Sequence, residues 1–170
     1  MVSTARELLQ PSADSALYDL YCGYGLFSLC MSKEVKSVTG VELSPYAVDS
    51  AASNAKRMHA ENARFHRQDI SAESIFKTLQ RCGRKDIVIL DPPRKGAAEG
   101  VIESIASQKP ARVLHVFCNI DLIPDDLAGW KKNGYAVSEA VPLDNFPGTD
   151  DVEMMVLLKR DDASVGSQPE

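Results

Sequence analysis

The stretch YDLYCGYGLFSL, residues 18–29, joins an apolar run to a Gly-x-Gly turn and then to a segment in which a helix can start near Leu26. Glycine lets the backbone turn tightly and lets a ligand approach without a Cβ atom in the way. A strand, a glycine turn and a helix in this order are typical of a nucleotide-binding α/β sheet. Any tight turn between a strand and a helix favours glycine, so the stretch alone is also compatible with a plain turn.

Further β-rich runs follow, and helix-like segments separate most of them. The clearest helix covers residues 45–59, where Ser44 can cap the first turn and Pro45 suits the first helical position. Strands that alternate with helices predict βαβ units and a parallel sheet covered on both faces. The seven predicted strands are residues 16–22, 37–43, 63–68, 86–91, 112–118, 135–143 and 152–160.

The connection between the last two predicted strands breaks this pattern. It reads DNFPGTDD (144–151), which is eight residues long and rich in turn formers, too short for a helical crossover. Strand seven is therefore predicted to run antiparallel to its neighbour, at or near an edge of the sheet. Residues 1–160 are predicted to form a single domain, and the polar segment 161–170 to be a disordered tail.

Charge and composition exclude several classes of protein. The formal net charge is -5, and the Lys and Arg residues are scattered along the sequence, so composition gives no footprint for a phosphate-bearing partner. Neither the first ten residues nor any later stretch resembles a signal or membrane-spanning segment, which predicts a soluble, cytoplasmic protein. The four cysteines match no zinc-binding spacing, and no metal is predicted.

Carboxylates stand at the predicted carboxyl ends of three more strands. Glu42 ends strand two, Asp69 follows strand three and Asp91 ends strand four. At such a place a carboxylate can accept hydrogen bonds from ribose hydroxyls, and Asp69 could meet an adenine amino group or instead cap the following helix. An acidic lining suits S-adenosylmethionine, which carries a sulfonium and no phosphate, better than NAD. The turn also lacks the third glycine of the dinucleotide fingerprint.

Five motifs then occur in a fixed order, namely DLYCGYGLFSL, GVE, DPPRKG, a CN pair at a strand end and DNFPGTDDVE. From Leu17 to Arg160 the chain resembles the catalytic domain of the RNA 5-methyluridine methyltransferases. The resemblance implies a class I S-adenosylmethionine-dependent methyltransferase fold, Rossmann-like, with a seven-stranded mixed sheet whose seventh strand is antiparallel. It also implies an enzyme that transfers a methyl group from S-adenosyl-L-methionine to C5 of uridine in tRNA or rRNA.

The resemblance also implies roles for individual residues. Cys118 would be the nucleophile and Glu153 the general base. C5 of uracil attacks a methyl group only after a thiolate has added to C6, and a base must then remove the C5 proton. The residues expected at the cofactor are Tyr21, Gly23, Gly25, Leu26, Glu42, Asp69 and Asp91, of which the two glycines would shape the turn.

The chain departs from the family pattern in three places. It has FCNI where the family usually has SCNP, and Phe117 is expected to crowd the thiol or to give it apolar surroundings that raise its pKa. It lacks the family's FxQxN segment, and Asp151 replaces the usual histidine. It also shows no N-terminal OB-like RNA-binding module, so we expect weak RNA binding by this domain alone, as a fragment of a longer protein or a short relative.

Two alternatives to uracil methylation stay open on the sequence alone. The chain could methylate another acceptor, with Cys118 a buried thiol at a strand end and Glu153 a surface acid. It could also be a catalytically silent domain that binds the cofactor or a protein partner.

Overall fold

The computed structural model describes residues 1–145, 148 and 152–161, and these contain one seven-stranded mixed sheet. The order of the strands across the sheet is β3-β2-β1-β4-β5-β7-β6. The predicted tail from residue 162 onward and Asp151 lie outside the described residues. The strands are β1 Ala16–Leu20, β2 Ser37–Glu42, β3 Ala63–Arg67, β4 Ile87–Leu90, β5 Arg112–Phe117, β6 Tyr135–Leu143 and β7 Glu153–Arg160.

The direction of the last strand confirms the prediction made from the short connection. Strands β1 to β5 pair in parallel, whereas β7 pairs antiparallel with both β5 and β6. It lies between these two strands, and β6 is the outermost strand on that side of the sheet. Because β7 runs in the opposite direction, its first residue lies beside the carboxyl ends of the parallel strands.

Several predicted strands extended too far at their carboxyl ends. Tyr21, Asp91 and Cys118 lie in the loops that follow β1, β4 and β5. Their side chains therefore stand at the loop-bearing edge of the sheet, where parallel α/β folds bind ligands. The described helices are α1 Val2–Leu9, α2 Leu26–Met31, α3 Pro45–Arg57, α4 Ala72–Thr78, α5 Val101–Ser107 and α6 Ile123–Lys132.

Helices bury both faces of the central strands, as predicted, whereas most residues of β3 and β6 are exposed or only partly buried. Alternate residues of a strand face opposite sides, so Leu17 packs with α1 and α2 while Tyr18 and Leu20 pack with α4, α5 and α6. Trp130 of α6 is fully buried in the second cluster. The resulting three-layer arrangement holds the carboxyl ends of the strands in fixed positions relative to each other.

Candidate active site

A pocket of about 690 Å³ opens at the carboxyl ends of β1 to β4. It brings together four of the residues predicted at the cofactor, Tyr21, Glu42, Asp69 and Asp91. The other lining residues were not predicted at the cofactor. Some follow Glu42 or Asp69 in the sequence, and the rest belong to the loop after β4, which the Asp-Pro-Pro motif could have indicated. These other lining residues are Leu43, Ile70, Ser71, Pro93, Lys95, Gly96, Ala97 and Ala98.

The glycine turn lies beside this pocket, and Gly23, Gly25 and Leu26 are not among its lining residues. Gly25 has a φ of 84°, a left-handed conformation that glycine adopts without strain, and it forms the N-cap of α2. The backbone N–H of Gly23 donates to Oε2 of Glu42 at 3.3 Å, while Leu26 is about half exposed at the start of the helix. The turn is therefore fixed from the side of β2.

Glu42 accepts hydrogen bonds from two backbone segments of the site, the turn after β1 and the start of the loop after β2. Its second oxygen, Oε1, accepts the N–H of Ser44 at 2.8 Å. The side chain of Ser44 in turn accepts the N–H of Ala47 and caps α3, as the sequence predicted. These two backbone hydrogen bonds hold the carboxylate of Glu42 at the pocket, because each oxygen is restrained by a different segment. Each oxygen retains a second lone pair that can accept another hydrogen bond.

Tyr21 has a strained backbone at the pocket wall. Its φ of 63° lies in the left-handed region, which is uncommon for a bulky residue and occurs mostly where the surrounding structure imposes it. Burial raises the pKa of its phenol, whereas a hydrogen bond with the backbone of Ala98 opposes this effect. Tyr21 therefore connects the turn after β1 to the loop after β4.

The sequence analysis did not identify Asp19, a fully buried carboxylate of β1. Its Oδ2 accepts the backbone N–H and the hydroxyl of Ser28 on α2, at 3.0 and 2.7 Å. Burial is the main cause that raises its pKa to about 6, and the two hydrogen bonds from Ser28 oppose the shift. The pattern of a charged residue inside an otherwise apolar strand was the available signal.

Cys118 and Glu153 meet at the same edge of the sheet. Phe117 of β5 pairs with Met154 of β7. Because the two strands are antiparallel, Cys118, which follows Phe117, lies opposite Glu153, which precedes Met154. The thiol of Cys118 donates to Oε1 of Glu153 with a sulfur-to-oxygen distance of 3.5 Å. The side-chain amide of Asn145 donates to the other oxygen of Glu153. Sequence reasoning did not single out Asn145.

Electrostatics couple this pair to the pocket through Asp91. Burial is the largest cause that raises the pKa of Cys118 to about 12; the negative charges of Asp91 and Glu153 also raise it, and Arg94 opposes them. Burial is likewise the largest cause that raises the pKa of Asp91 to about 7, followed by the charges of Asp19 and Glu153. Asp91, which lines the pocket, therefore couples the pocket electrostatically to the thiol of Cys118.

Phe117 contributes to the core rather than lining the pocket. Its ring is buried and lies 3.8 Å from the ring of His115, centroid to centroid. Ile120, the other departure from the family pattern in this segment, is half exposed. The pKa of the Cys118 thiol is raised, as expected. Burial is the largest cause, and the carboxylates of Asp91 and Glu153 come next.

Within the part of the chain that the structure describes, no group of His, Cys, Asp and Glu side chains could hold a metal ion. In the same residues, no helix has the length and apolar character needed to cross a membrane.

The strand order, the reversed β7 and the carboxylate-lined pocket define a class I methyltransferase fold. A solved structure with this fold, the magnesium protoporphyrin IX methyltransferase of Synechocystis with bound S-adenosylmethionine, superposes on 94% of this chain and 77% of its own with a TM-score of 0.69 and 20% identity. A model of the tRNA (uracil-5-)-methyltransferase family matches residues 1–161. The chain therefore belongs to this family of S-adenosylmethionine-dependent RNA methyltransferases.

Individual relatives agree with this assignment. An uncharacterised RNA methyltransferase of Clostridium acetobutylicum is 36% identical over 162 residues, which cover 95% of this chain and 35% of the relative. One of Bacillus cereus is 36% identical over 155 residues, covering 91% and 33%. The tRNA (uracil-54, C5)-methyltransferase of Pyrococcus abyssi, solved with S-adenosyl-L-homocysteine, has a TM-score of 0.72 and 25% identity over 92% of this chain and 37% of its own. The chain thus spans about a third of the length of the curated relatives it matches.

Proposed function

We propose that the chain methylates C5 of uridine in RNA through a covalent adduct on Cys118, with Glu153 as the base. The observation that carries this proposal is the 3.5 Å distance between the sulfur of Cys118 and Oε1 of Glu153, beside the carboxylate-lined pocket. A thiol and a carboxylate are the two groups that uracil C5 methylation requires. The family name and the uracil-54 specificity of the Pyrococcus abyssi neighbour support the choice of acceptor.

The pocket is suited to S-adenosylmethionine by charge and by the positions of its acceptors. Glu42 is available to the ribose hydroxyls through its remaining lone pairs, and Asp69 is exposed at the same mouth and can accept from the adenine amino group. Tyr21 and Asp91 complete the acidic and aromatic wall. Gly23, Gly25 and Leu26 act in this proposal by shaping the turn. A cationic sulfonium gains from the nearby carboxylates when it is bound there.

The reaction then follows from the positions of the two side chains. Cys118 passes its thiol proton to Glu153, which is partly exposed and releases it to water. The sulfur bonds to C6 of uracil, and the electrons of the C5–C6 double bond move into the O4 enolate. C5 forms a bond to the donor methyl group while the carbon–sulfur bond of the donor breaks. Glu153 takes the C5 proton, the C5–C6 double bond re-forms, and the thiolate of Cys118 leaves.

The close approach of the two side chains favours action from one face of the ring. If the uracil lay between them, the sulfur bonded to C6 and a carboxylate in contact with the C5 proton would stand at least about 5 Å apart. The sulfur of Cys118 and Oε1 of Glu153 are 3.5 Å apart. In the proposal, the methyl group therefore arrives from the opposite face. This approach pushes the C5 proton toward Cys118, where Glu153 can take it.

A trapping experiment tests this function. RNA that carries 5-fluorouridine has no C5 proton to lose, so a competent thiol remains bonded to it after methyl transfer. The probes are tRNA or rRNA transcripts that contain 5-fluorouridine in place of uridine. With S-adenosylmethionine present, we expect the protein to form an adduct with them that is stable on a denaturing gel. Cys118→Ala should abolish the adduct, whereas Cys30→Ala, which changes another partly buried thiol, should leave it intact. Methylation of ordinary RNA by the Cys118→Ala variant would refute the covalent route.

A further inference from the structure

A second concave site lies at the opposite edge of the sheet, where the parallel strands begin. Its volume is about 560 Å³. Five of its lining side chains are cationic and a single one, Asp14, is acidic, although the net charge of the chain is -5. We call this site the basic pocket, and it is lined by Ser12, Asp14, Ser15, Arg84, Lys85, Ala111, Arg112, Lys159 and Arg160.

The topology of the sheet assembles the basic pocket from distant parts of the sequence. Lys85 precedes β4, Arg112 begins β5 and Lys159 lies near the end of β7. Because β7 runs antiparallel to β5, Arg112 and Lys159 are paired directly across the two strands. Like charges directly opposite each other destabilise a sheet. An anion bound between them would remove this repulsion.

The surroundings leave most of this positive charge available to a ligand. Among the described residues, Arg84, Lys85 and Lys159 form no ion pair, and all three are exposed. Arg112 is held in place by a hydrogen bond from its guanidinium to the carbonyl oxygen of Leu9 at 3.1 Å. The nearby carboxylate of Asp86 accepts the backbone N–H groups of Ala16, the first residue of β1, and of Gly83 in the loop before β4.

We infer that the basic pocket binds the phosphodiester backbone of the RNA substrate, away from the nucleotide that reacts. This inference rests on the proposed RNA substrate but not on the covalent step at Cys118. Arg112 at the start of β5 and Cys118 just after its end are six residues apart, or about 20 Å at roughly 3.3 Å per residue. One RNA can therefore contact both sites only if it extends well beyond the target nucleotide. Cationic side chains on a phosphate backbone supply affinity and position without reading the sequence.

The test compares charge reversals in the whole 170-residue chain. The variant R84E/K85E/K159E changes three exposed cations of the basic pocket. The control K56E/R57E/R67E makes the same change in net charge on α3 and on β3, the outermost strand on the opposite side of the sheet from β6. Binding is measured by fluorescence anisotropy with a labelled RNA stem-loop of about 20 nucleotides and with a uridine pentamer, between about 50 and 200 mM KCl.

We expect the basic-pocket variant to bind the stem-loop at least about tenfold more weakly, with the slope of log K against log salt reduced by about 2 to 3. Its affinity for the pentamer and for S-adenosylhomocysteine should stay unchanged, which also verifies folding. Equal losses in both triple variants would show a mere net-charge effect and overturn the inference. Unchanged stem-loop binding by the basic-pocket variant would also overturn it, while adduct formation by the unmutated chain would still support the proposed function.

Discussion

At the scale of single residues, the protonation of Cys118 limits the chemistry. With a pKa raised to about 12, the thiol is protonated at neutral pH, and only a small fraction is thiolate. Attack on uracil therefore requires that the proton leave the sulfur as the carbon–sulfur bond forms. Glu153 accepts the hydrogen bond from this thiol and can take that proton. It must then release the proton to solvent, to which it is partly exposed, before it can take the C5 proton. A cationic cofactor in the adjoining pocket would lower the pKa of the thiol in the same direction as Arg94 does.

Alkylation of Cys118 by iodoacetamide should report this state. The thiolate reacts, so the rate should be far below that of an ordinary cysteine at pH 7 and should rise with pH toward about 12. Glu153→Gln removes a negative charge that raises the pKa, and we expect severalfold faster alkylation at about pH 9. The control Glu139→Gln, on the exposed face of β6, should change nothing. Peptide mass spectrometry measures the alkylation of each of the four cysteines separately. Alkylation of Cys118 at pH 7 as fast as that of an ordinary exposed cysteine would contradict the prediction.

Residue types revealed the pocket where a carboxylate ended a predicted strand or followed it directly. Glu42, Asp69 and Asp91 were predictable because each stands where a strand ends, and the structure places all three at one pocket. Asp19 also carried a local signal, a charged residue inside an apolar strand, but its partner Ser28 is supplied by the fold. The basic pocket was missed because its cations come from distant parts of the sequence, and no local pattern encodes their meeting.

At the scale of secondary-structure elements, hydrophobic runs and turn formers were sufficient for the sheet. The eight-residue connection excluded a crossover helix, and this excluded a parallel β7. The exact place of β7, between β5 and β6, was not predictable, because strand order depends on pairing between distant segments. Helix α1 was also not predicted. Three of its residues, Ala5, Leu8 and Leu9, are buried only because the sheet offers a face for them.

The packing of Phe65 against Gly40 supports the glycine turn. A Cβ atom on Gly40 of β2 would lie 2.4 Å from the ring of Phe65 and 2.9 Å from the sulfur of Cys22. A Cβ atom on Gly25 would lie 3.1 Å from the same ring. The ring of Phe65 therefore fills the space beneath the turn, and this packing requires the absence of a side chain in the middle of β2.

Gly40→Ala should consequently displace Phe65 and disturb the turn. We expect the free energy of unfolding to fall by about 1 to 3 kcal/mol, together with weaker binding of S-adenosylhomocysteine. Gly129→Ala is the matched control, since its nearest neighbours would be 3.8 Å away and α6 would gain helix propensity. That variant should be neutral or up to about 1 kcal/mol more stable. Urea unfolding measures both changes, and equal stability of the two variants would contradict the proposed packing.

At the scale of the whole molecule, the two ends of the sheet differ in charge. The edge where the parallel strands end carries the carboxylates and the thiol, and the edge where they begin carries the basic pocket. The pocket proposed for the cofactor is lined by residues of β2 and of the loops that follow β1 to β4, and the chain spans about a third of its curated relatives. Affinity for the cofactor and affinity for RNA are therefore expected to separate in the isolated chain.

We expect the isolated chain to bind S-adenosylhomocysteine in calorimetry and to bind unmodified RNA only weakly, because its net charge is -5. Glu42→Ala should weaken cofactor binding at least about tenfold, since losing a charged acceptor costs about 1.5 to 3 kcal/mol. Glu42→Gln keeps one oxygen acceptor and should lose less. Because Glu42 also accepts the N–H groups of Gly23 and Ser44, thermal unfolding of each variant must accompany the measurement. Unchanged affinity in Glu42→Ala would place the ribose elsewhere, and submicromolar binding of RNA at physiological salt would show that this domain alone holds its substrate.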